Sequence, residues 1–409
     1  MWMFKQDSFV TALEIGTSKV VAIIAEVNES EAINIVGFGE AKSHGVLKGE
    51  IIDSKVAYED IRKAIREAED RADREVHQVY LGVTGQHITS NNYTGSHAIA
   101  SSDRFISEED VDDVMSNARR FNLNHGQHMI HVIRQQFKVD GRTVHQSPIG
   151  MAGSDLAVVL HAVQGYKEPL QRPVQLLRKM KLEAENLVFN GLASALSVLS
   201  PAQKAEGALV IDLGAGTTEY AACSKGVVCH SGVLAVGGDH VTEDLSIGLE
   251  CPFTRAEDLK IKFGSAVVSE SARGQVRELV NEVGLTDRRV NVESLRRIMS
   301  ERLKEIFAII AAELDRCDMT DMVHSVVLCG GGSSTPEICT LASKVLELPV
   351  QIGAGVNLHG PSSIIERPEY ATALGLLKFG SFDLARQRES AASRIPLKDR
   401  IKSLLRIES

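Results

Sequence analysis

Apolar residues run almost unbroken from Phe9 to Ile15, pause at Gly16-Thr17-Ser18, and resume from Val20 to Val27. Runs of this length bounded by turn residues predict strands covered on both faces. A third strand follows from Ile33 to Gly39. The plan returns over 207–238, with strands Ala208 to Leu213, Tyr220 to Cys223 and Val227 to Val236 around a glycine-rich turn. In each copy an acid stands two residues before a glycine: Glu14 before Gly16, and Asp212 before Gly214. Two tandem sheets of one design predict two lobes facing each other across a cleft.

Helical spacing between the copies predicts an amphipathic helix from Tyr58 to Val76, then a strand from Gln78 to Thr84. A polar, extended stretch covers Gln86 to Ala100, and Ser107 opens a helix with acids in its first turn, where the dipole favours them. Residues 84–163 therefore read as an inserted subdomain. Lys167 to Met180 and Ser194 to Leu199 read as helices around a strand from Leu187 to Asn190. The second half carries a helical insertion, roughly Thr242 to Cys317, with long apolar periodicity from Val292 to Leu314. A strand from Ser325 to Cys329 runs into Gly330-Gly331-Gly332-Ser333. Pro368 begins a helix through Lys378, and the polar stretch Phe382 to Ser393 reads as a linker.

Composition narrows the class. A 409-residue chain with 44% hydrophobic and 24% charged residues is globular and large enough for more than one core. The net charge of −9 lacks the basic footprint of nucleic-acid binding. No apolar run reaches the ~18 residues of a membrane span, and the first residues lack a signal-peptide core, so a cytoplasmic location is expected. The six cysteines contain no C-x-x-C pair and read as small buried hydrophobes.

Turns rich in Gly, Thr and Ser suit phosphate, because glycines let backbone N–H groups converge and hydroxyls add donors. Gly16, Thr17, Ser18 and Lys19 from one lobe, with Gly214, Ala215, Gly216, Thr217 and Thr218 from the other, would clamp a triphosphate. Glu14 and Asp212 stand beside these turns, and Asp212 would hold Mg²⁺ through its waters. Gly330, Gly331, Gly332 and Ser333 follow a buried strand and suit close approach to a flat base, as does an ordinary strand-to-helix turn. Glu257 and Lys260 fit a ribose contact or, equally, a solvated helix face. Gly238, soon after the second sheet's strands, is counted among the nucleotide-binding residues as well. The run His125, His128, His131 invites a metal reading, but strand alternation and the lack of a fourth ligand favour a structural one.

The C-terminal stretch reverses the charge. After Pro396, Leu397, Ile401, Leu404 and Leu405 form one apolar stripe at helical spacing. Arg394, Lys398, Arg400, Lys402 and Arg406 against Asp399 and Glu408 make this segment +3 and leave the remainder at −12. A basic amphipathic helix after a linker is the pattern of an interfacial anchor on an anionic membrane. A helix that docks on its own protein is the alternative.

The chain resembles the FtsA family of actin-like bacterial cell-division proteins over nearly its whole length. The resemblance lies in Leu13 to Thr17, Ser43-His44-Gly45, Lys48-Gly49 through Asp53, Leu81 to Ile88, His131-Val132-Ile133, Gly191 to Ser194, Asp212 through Thr218 and Ala371 to Leu377. It implies an α/β, actin-like (ribonuclease H-like) two-lobed fold binding ATP and Mg²⁺. The subdomains would be 1A (8–83 and 164–205), 1C (84–163), 2A (206–241 and 320–367) and 2B (242–319). A helix returning to 1A (368–380), a linker (381–394) and a membrane-targeting helix (395–409) would follow. It also implies polymerisation into filaments, contact with later divisome proteins, a place at the septum on the inner membrane's cytoplasmic face, and docking of the FtsZ C-terminal peptide on 2B. Arg302 matches an arginine of that docking face, and Arg288 is a second match; either also fits a solvated surface. Ala215 departs from the family's glycine and would weaken phosphate binding if its position needed a positive φ. Asn190 stands where hydrolytic relatives of the fold carry a water-orienting Glu, so tight binding with slow or absent turnover is expected. The rival readings are the pilus-assembly PilM, the cell-shape actin, and a small-molecule kinase of the same fold.

Overall fold

The computed structural model describes residues 8–28, 30–100, 104–144, 147–280 and 286–393. Two five-stranded mixed sheets dominate it. In the first, Ser8–Ile15 and Lys19–Val27 form a hairpin, Ile33–Lys42 adds to its outer edge, and Gln78–Val83 and Glu183–Phe189 continue in parallel on the other side. The second repeats this order and polarity strand for strand: the hairpin is Ala208–Leu213 with Thr218–Ser224, Val227–Leu234 lies outside it, and Ser325–Cys329 and Val350–Ile352 run parallel beyond. The echo in the sequence is thus a duplicated topology. The central strands are buried along almost their full length, which is why they read as continuous apolar runs.

Helix Ser54–Ala72 covers one face of the first sheet with Ala57, Ile61, Ala64, Ile65 and Ala68. Its start lies four residues before the expected one, because Asp53 caps it by accepting from the N–H groups of Lys55 and Val56 at 2.9 and 3.1 Å. Close packing here needs glycine in the strand: a Cβ on Gly39 would meet the carbonyl oxygen of Ala64 at 1.9 Å. The opposite face takes helices Asn190–Val198 and Ala371–Ser393, which cross where Gly375 meets the carbonyl of Ala193.

That last helix corrects the sequence reading. Residues expected as a linker, 381–394, continue the helix as far as Ser393. Asp383 accepts hydrogen bonds from Tyr80 at 3.2 Å and Asn186 at 2.9 Å, and Arg388 donates to the Ser8 hydroxyl at 2.7 Å. Polar residues here tether a helix to the first lobe. The 395–409 segment lies outside the described residues.

The 84–163 stretch holds the sheet Ile88–Ala98, Asp155–Tyr166, Gln127–Val139 and Arg142–Val144, backed by helix Glu108–Ala118. Ser107 and Asp110 form a capping box at that helix start. In the second insertion, helices Gly238–Gly248, Phe253–Phe263 and Val292–Arg316 accompany a hairpin, Val276–Val280 with Thr286–Asn291. The purely helical reading missed this hairpin, whose Arg-Glu and Asp-Arg-Arg content gives no apolar alternation.

Candidate nucleotide site between the lobes

The two glycine-led turns close identically. Gly16 N–H donates to the Lys19 carbonyl at 2.9 Å, and Gly214 N–H to the Thr217 carbonyl at 3.0 Å. Each links the first two strands of its lobe, so the duplicated sheets bring them together. A Cβ on Gly216 would lie 2.5 Å from Thr17 Oγ1, and Thr17 Oγ1 accepts from the Gly49 N–H at 3.0 Å. The second turn is also fastened to a helix start, since Gly238 and Asp239 donate to the carbonyls of Gly214 and Ala215 at 2.9 and 2.8 Å. An N-terminus so placed favours an anion. Ala215 is not among the residues with positive φ, so its methyl carries no backbone strain.

Behind the turns lies a cavity of about 370 Å³. Asp212 and Glu219 are buried at it and Glu14 is half-buried, with Lys19 as a nearby cation. Burial, reinforced by the charge of Asp212, pushes the Glu14 carboxyl to about 8 and that of Glu219 to about 7. Burial also raises Asp212, opposed by hydrogen bonds from Ser194 and Thr372 at 2.5 and 2.8 Å. Burial lowers Lys19, although Glu14 opposes it. Glu14 Oε2 is buried with no hydrogen-bond partner. An orphaned carboxylate oxygen beside two further carboxylates suits a hydrated cation.

The third wall is Gly330-Gly331-Gly332. Gly330 has φ +80°, and a Cβ there would sit 2.3 Å from Asp212 Oδ1. Gly331 faces open space, with nothing within 4 Å of a built Cβ. Across the cavity, Lys260 Nζ pairs with Glu257 at 2.6 Å and donates to Thr242 Oγ1 at 2.8 Å and the Gly238 carbonyl at 3.1 Å. Glu257 also accepts from the Thr242 hydroxyl.

The cavity wall thus gathers Glu14, Gly16, Thr17, Ser18 and Lys19 with Asp212, Gly214, Ala215, Gly216 and Thr217. Gly238, Glu257, Lys260 and Gly330 to Gly332 complete the expected set. Two expected residues are elsewhere. Thr218 is buried and donates to the Val236 carbonyl at 2.7 Å, and Ser333 turns inward to the Gly330 carbonyl at 2.7 Å. Ser334 and Thr335 take the wall position instead. Reading the turns alone also left out Thr84, Asp239, Glu369 and Thr372. Thr84 follows its strand as Thr17 and Thr217 follow theirs, a signal available but unused. Nothing in local spacing marks Thr372, which comes from a distant helix.

Asn190 begins helix Asn190–Val198 at the cavity, its Oδ1 buried without a partner. Outside the cavity, Arg302 lies on helix Val292–Arg316, with Asp244 at 2.6 and 2.9 Å and Glu305 also paired to it. The backbone at Arg288 pairs with Leu279 in the hairpin, and its side chain lies outside the described residues, as do Leu397, Lys398, Ile401, Lys402, Leu404, Leu405 and Arg406. Among the described residues no helix is long and apolar enough to cross a membrane.

Comparison with known proteins agrees with this architecture. The family model "Cell division protein FtsA" matches residues 209–375, and "SHS2 domain inserted in FTSA" matches 85–164. The FtsA of Neisseria meningitidis serogroup B is 33% identical over 377 residues, covering 92% of this chain and 91% of the relative. That of Pseudomonas aeruginosa is 30% identical, covering 92% and 90%. Among solved structures, a PilM-PilN type IV pilus biogenesis complex superposes with TM-score 0.66 at 15% identity, covering 91% of this chain and 98% of the other. MreB5 of Spiroplasma citri bound to ADP superposes with TM-score 0.53 at 14% identity, covering 93% and 98%. The fold is therefore actin-like, and the chain belongs to the FtsA family of cell-division proteins.

Proposed function

We propose that the protein binds ATP with Mg²⁺ between its lobes and links FtsZ filaments to the membrane as an actin-like polymer. The observation that carries the nucleotide reading is the pair of identically closed turns, one per lobe, over a cavity lined by three carboxylates. Backbone N–H groups of both turns and Lys19 would receive the phosphates. Glu14, Asp212 and Glu219 would hold Mg²⁺ through its waters, and the ion would offset charge that the phosphates and carboxylates otherwise pit against each other. Gly331 leaves room for the base, while Glu257 and Lys260 stand at the ribose side.

Arg302 supports docking of an acidic, apolar FtsZ C-terminal peptide on the second insertion, since a guanidinium on a helix face recognises carboxylates. The +3 segment from Arg394 supports attachment to anionic lipid. Each basic side chain there adds ~1 kcal/mol, so one copy holds weakly and a polymer holds firmly through avidity. Filament contacts along 1A, 2A and 2B, and later divisome proteins on the 84–163 subdomain, complete the proposal, with the septum on the cytoplasmic face of the inner membrane as its site.

The test is co-sedimentation of the protein with anionic vesicles and FtsZ, with and without Mg·ATP. FtsZ is expected to pellet only when all components are present, and removal of 395–409 is expected to release it. Vesicle pelleting unchanged by that deletion would exclude the anchor. Absence of saturable ATP binding would exclude the nucleotide reading separately.

A further inference from the structure

One cluster belongs to none of these roles. His230 lies in strand Val227–Leu234, and Glu313 and Cys317 lie one turn apart near the end of the long helix that began at Val292. Their separations are 3.4 Å from His230 Nε2 to Glu313 Oε1, 3.8 Å from Cys317 Sγ to His230 Nε2, and 3.8 Å from Cys317 Sγ to Glu313 Oε1. Among the described residues, these form a group of His, Cys and acidic ligand atoms close enough to share an ion.

Those three edges describe a tetrahedral face. With zinc bonds of about 2.3 Å to sulfur and about 2.0–2.1 Å to nitrogen and oxygen, tetrahedral ligand atoms lie roughly 3.3–3.6 Å apart. The observed triangle is within a few tenths of an ångström of that, and the sulfur edges are the longer ones, as zinc–sulfur bonds require. We propose that His230, Glu313 and Cys317 form a zinc-type transition-metal site with three protein ligands and an open fourth position.

The surroundings fit. Burial lowers the basicity of His230, opposed by the Glu313 charge. Arg316 grips Glu313 through Nε to Oε2 at 2.8 Å and Nη2 to Oε1 at 2.6 Å. Keeping the Oε2 contact would orient the carboxylate while Oε1 turns to the ion. Binding would convert the Cys317 thiol to thiolate and release its proton to solvent. His161 is a neighbouring imidazole, its ring centre 6.4 Å from that of His230, but its nitrogens face Asn92 at 2.7 Å and the Ser231 hydroxyl at 2.9 Å. The fourth position is therefore left to water or an external ligand.

The position gives such an ion mechanical leverage. The neighbours of His230 receive the 84–163 subdomain: Asn92 and Gln135 donate to the Cys229 carbonyl at 3.1 and 2.8 Å, and Ser90 to that of Ser231 at 2.5 Å. An ion at His230 would tie that seam to the long helix.

Cobalt(II) titration of the chelator-treated full-length protein tests the site. One equivalent is expected to give a thiolate-to-cobalt charge-transfer band with intense visible tetrahedral bands, both reversed by zinc. Cys317→Ser should abolish the charge-transfer band, and His230→Ala should weaken cobalt binding at least about tenfold. Cys229→Ser should keep both signals, and circular dichroism should show each variant folded. Zinc should also slow alkylation of Cys317, read by mass spectrometry in the wild-type chain. No thiolate band, or a band that survives Cys317→Ser, would overturn the site even if a variant misfolds.

Discussion

The hydroxyl of Thr84, at the end of a first-lobe strand, donates a hydrogen bond to the buried carboxylate of Glu219 in the second lobe. This bond spans the cleft and helps to keep Glu219 ionised, against the burial and the Asp212 charge that hold its carboxyl near 7. Thr84→Val should push that carboxyl higher.

The raised carboxyls fix how the ligand-free protein responds to pH. Glu14 and Glu219, near 8 and 7, keep protons that an unfolded chain sheds above about 4.5. Their stabilising contribution is therefore complete below that value and is lost as pH rises through 7 and 8. The Tm of the free protein should fall between pH 6.5 and pH 8, the window above the ordinary histidine range and below that of the depressed Lys378. Glu219→Gln should flatten the fall, and an unchanged slope would contradict this account. Mg·nucleotide binding near neutral pH should release protons, visible as a buffer-dependent heat in calorimetry.

Two adjacent glycines should behave differently. Gly330→Ala forces a side chain into positive φ and onto Asp212, which should cost at least about 2 kcal/mol in denaturant unfolding and abolish nucleotide binding. Gly331→Ala meets nothing, so the chain should fold normally while the bulk at the base wall lowers nucleotide affinity. Equal stability for the two variants would refute the assignment of their roles.

Arg302 is not waiting free for a partner; Asp244 already holds it in a two-point ion pair. An acidic peptide must compete with that carboxylate. Asp244→Asn should therefore tighten FtsZ-tail binding, whereas Arg302→Glu should weaken it about tenfold or more. Fluorescence anisotropy with a labelled tail peptide measures both, and weaker binding in Asp244→Asn would dismiss the competition.

Asn190 has an unpartnered oxygen at the cavity but no carboxylate to accept a proton from water. Phosphate release should remain below about 1 per second at saturating ATP. Asn190→Asp should raise it if the residue stands beside the γ-phosphate.

The duplicated lobes and most of the cavity wall were legible because both depend on local pattern: apolar runs, turn glycines and the acids beside them. What escaped depended on distance in the chain. Thr372 reaches Asp212 across 160 residues, and Glu313 and Cys317 meet His230 only after the long helix packs on its sheet. Ser333 was misplaced because a loop's composition does not say which hydroxyl turns inward. The supposed linker failed for a related reason: its polar residues found partners on the first lobe, where Tyr80, Asn186 and Ser8 receive Asp383 and Arg388.

That last attachment decides how force would pass from a polymer to whatever the terminal residues grip. A helix of 23 residues spans about 35 Å, and side-chain bonds fasten it to the body as late as Arg388. Under the proposed function the part of the coupling that runs through this helix is a bracket rather than a rope, because it holds one flank of the first lobe in fixed register with the helix as far as Arg388.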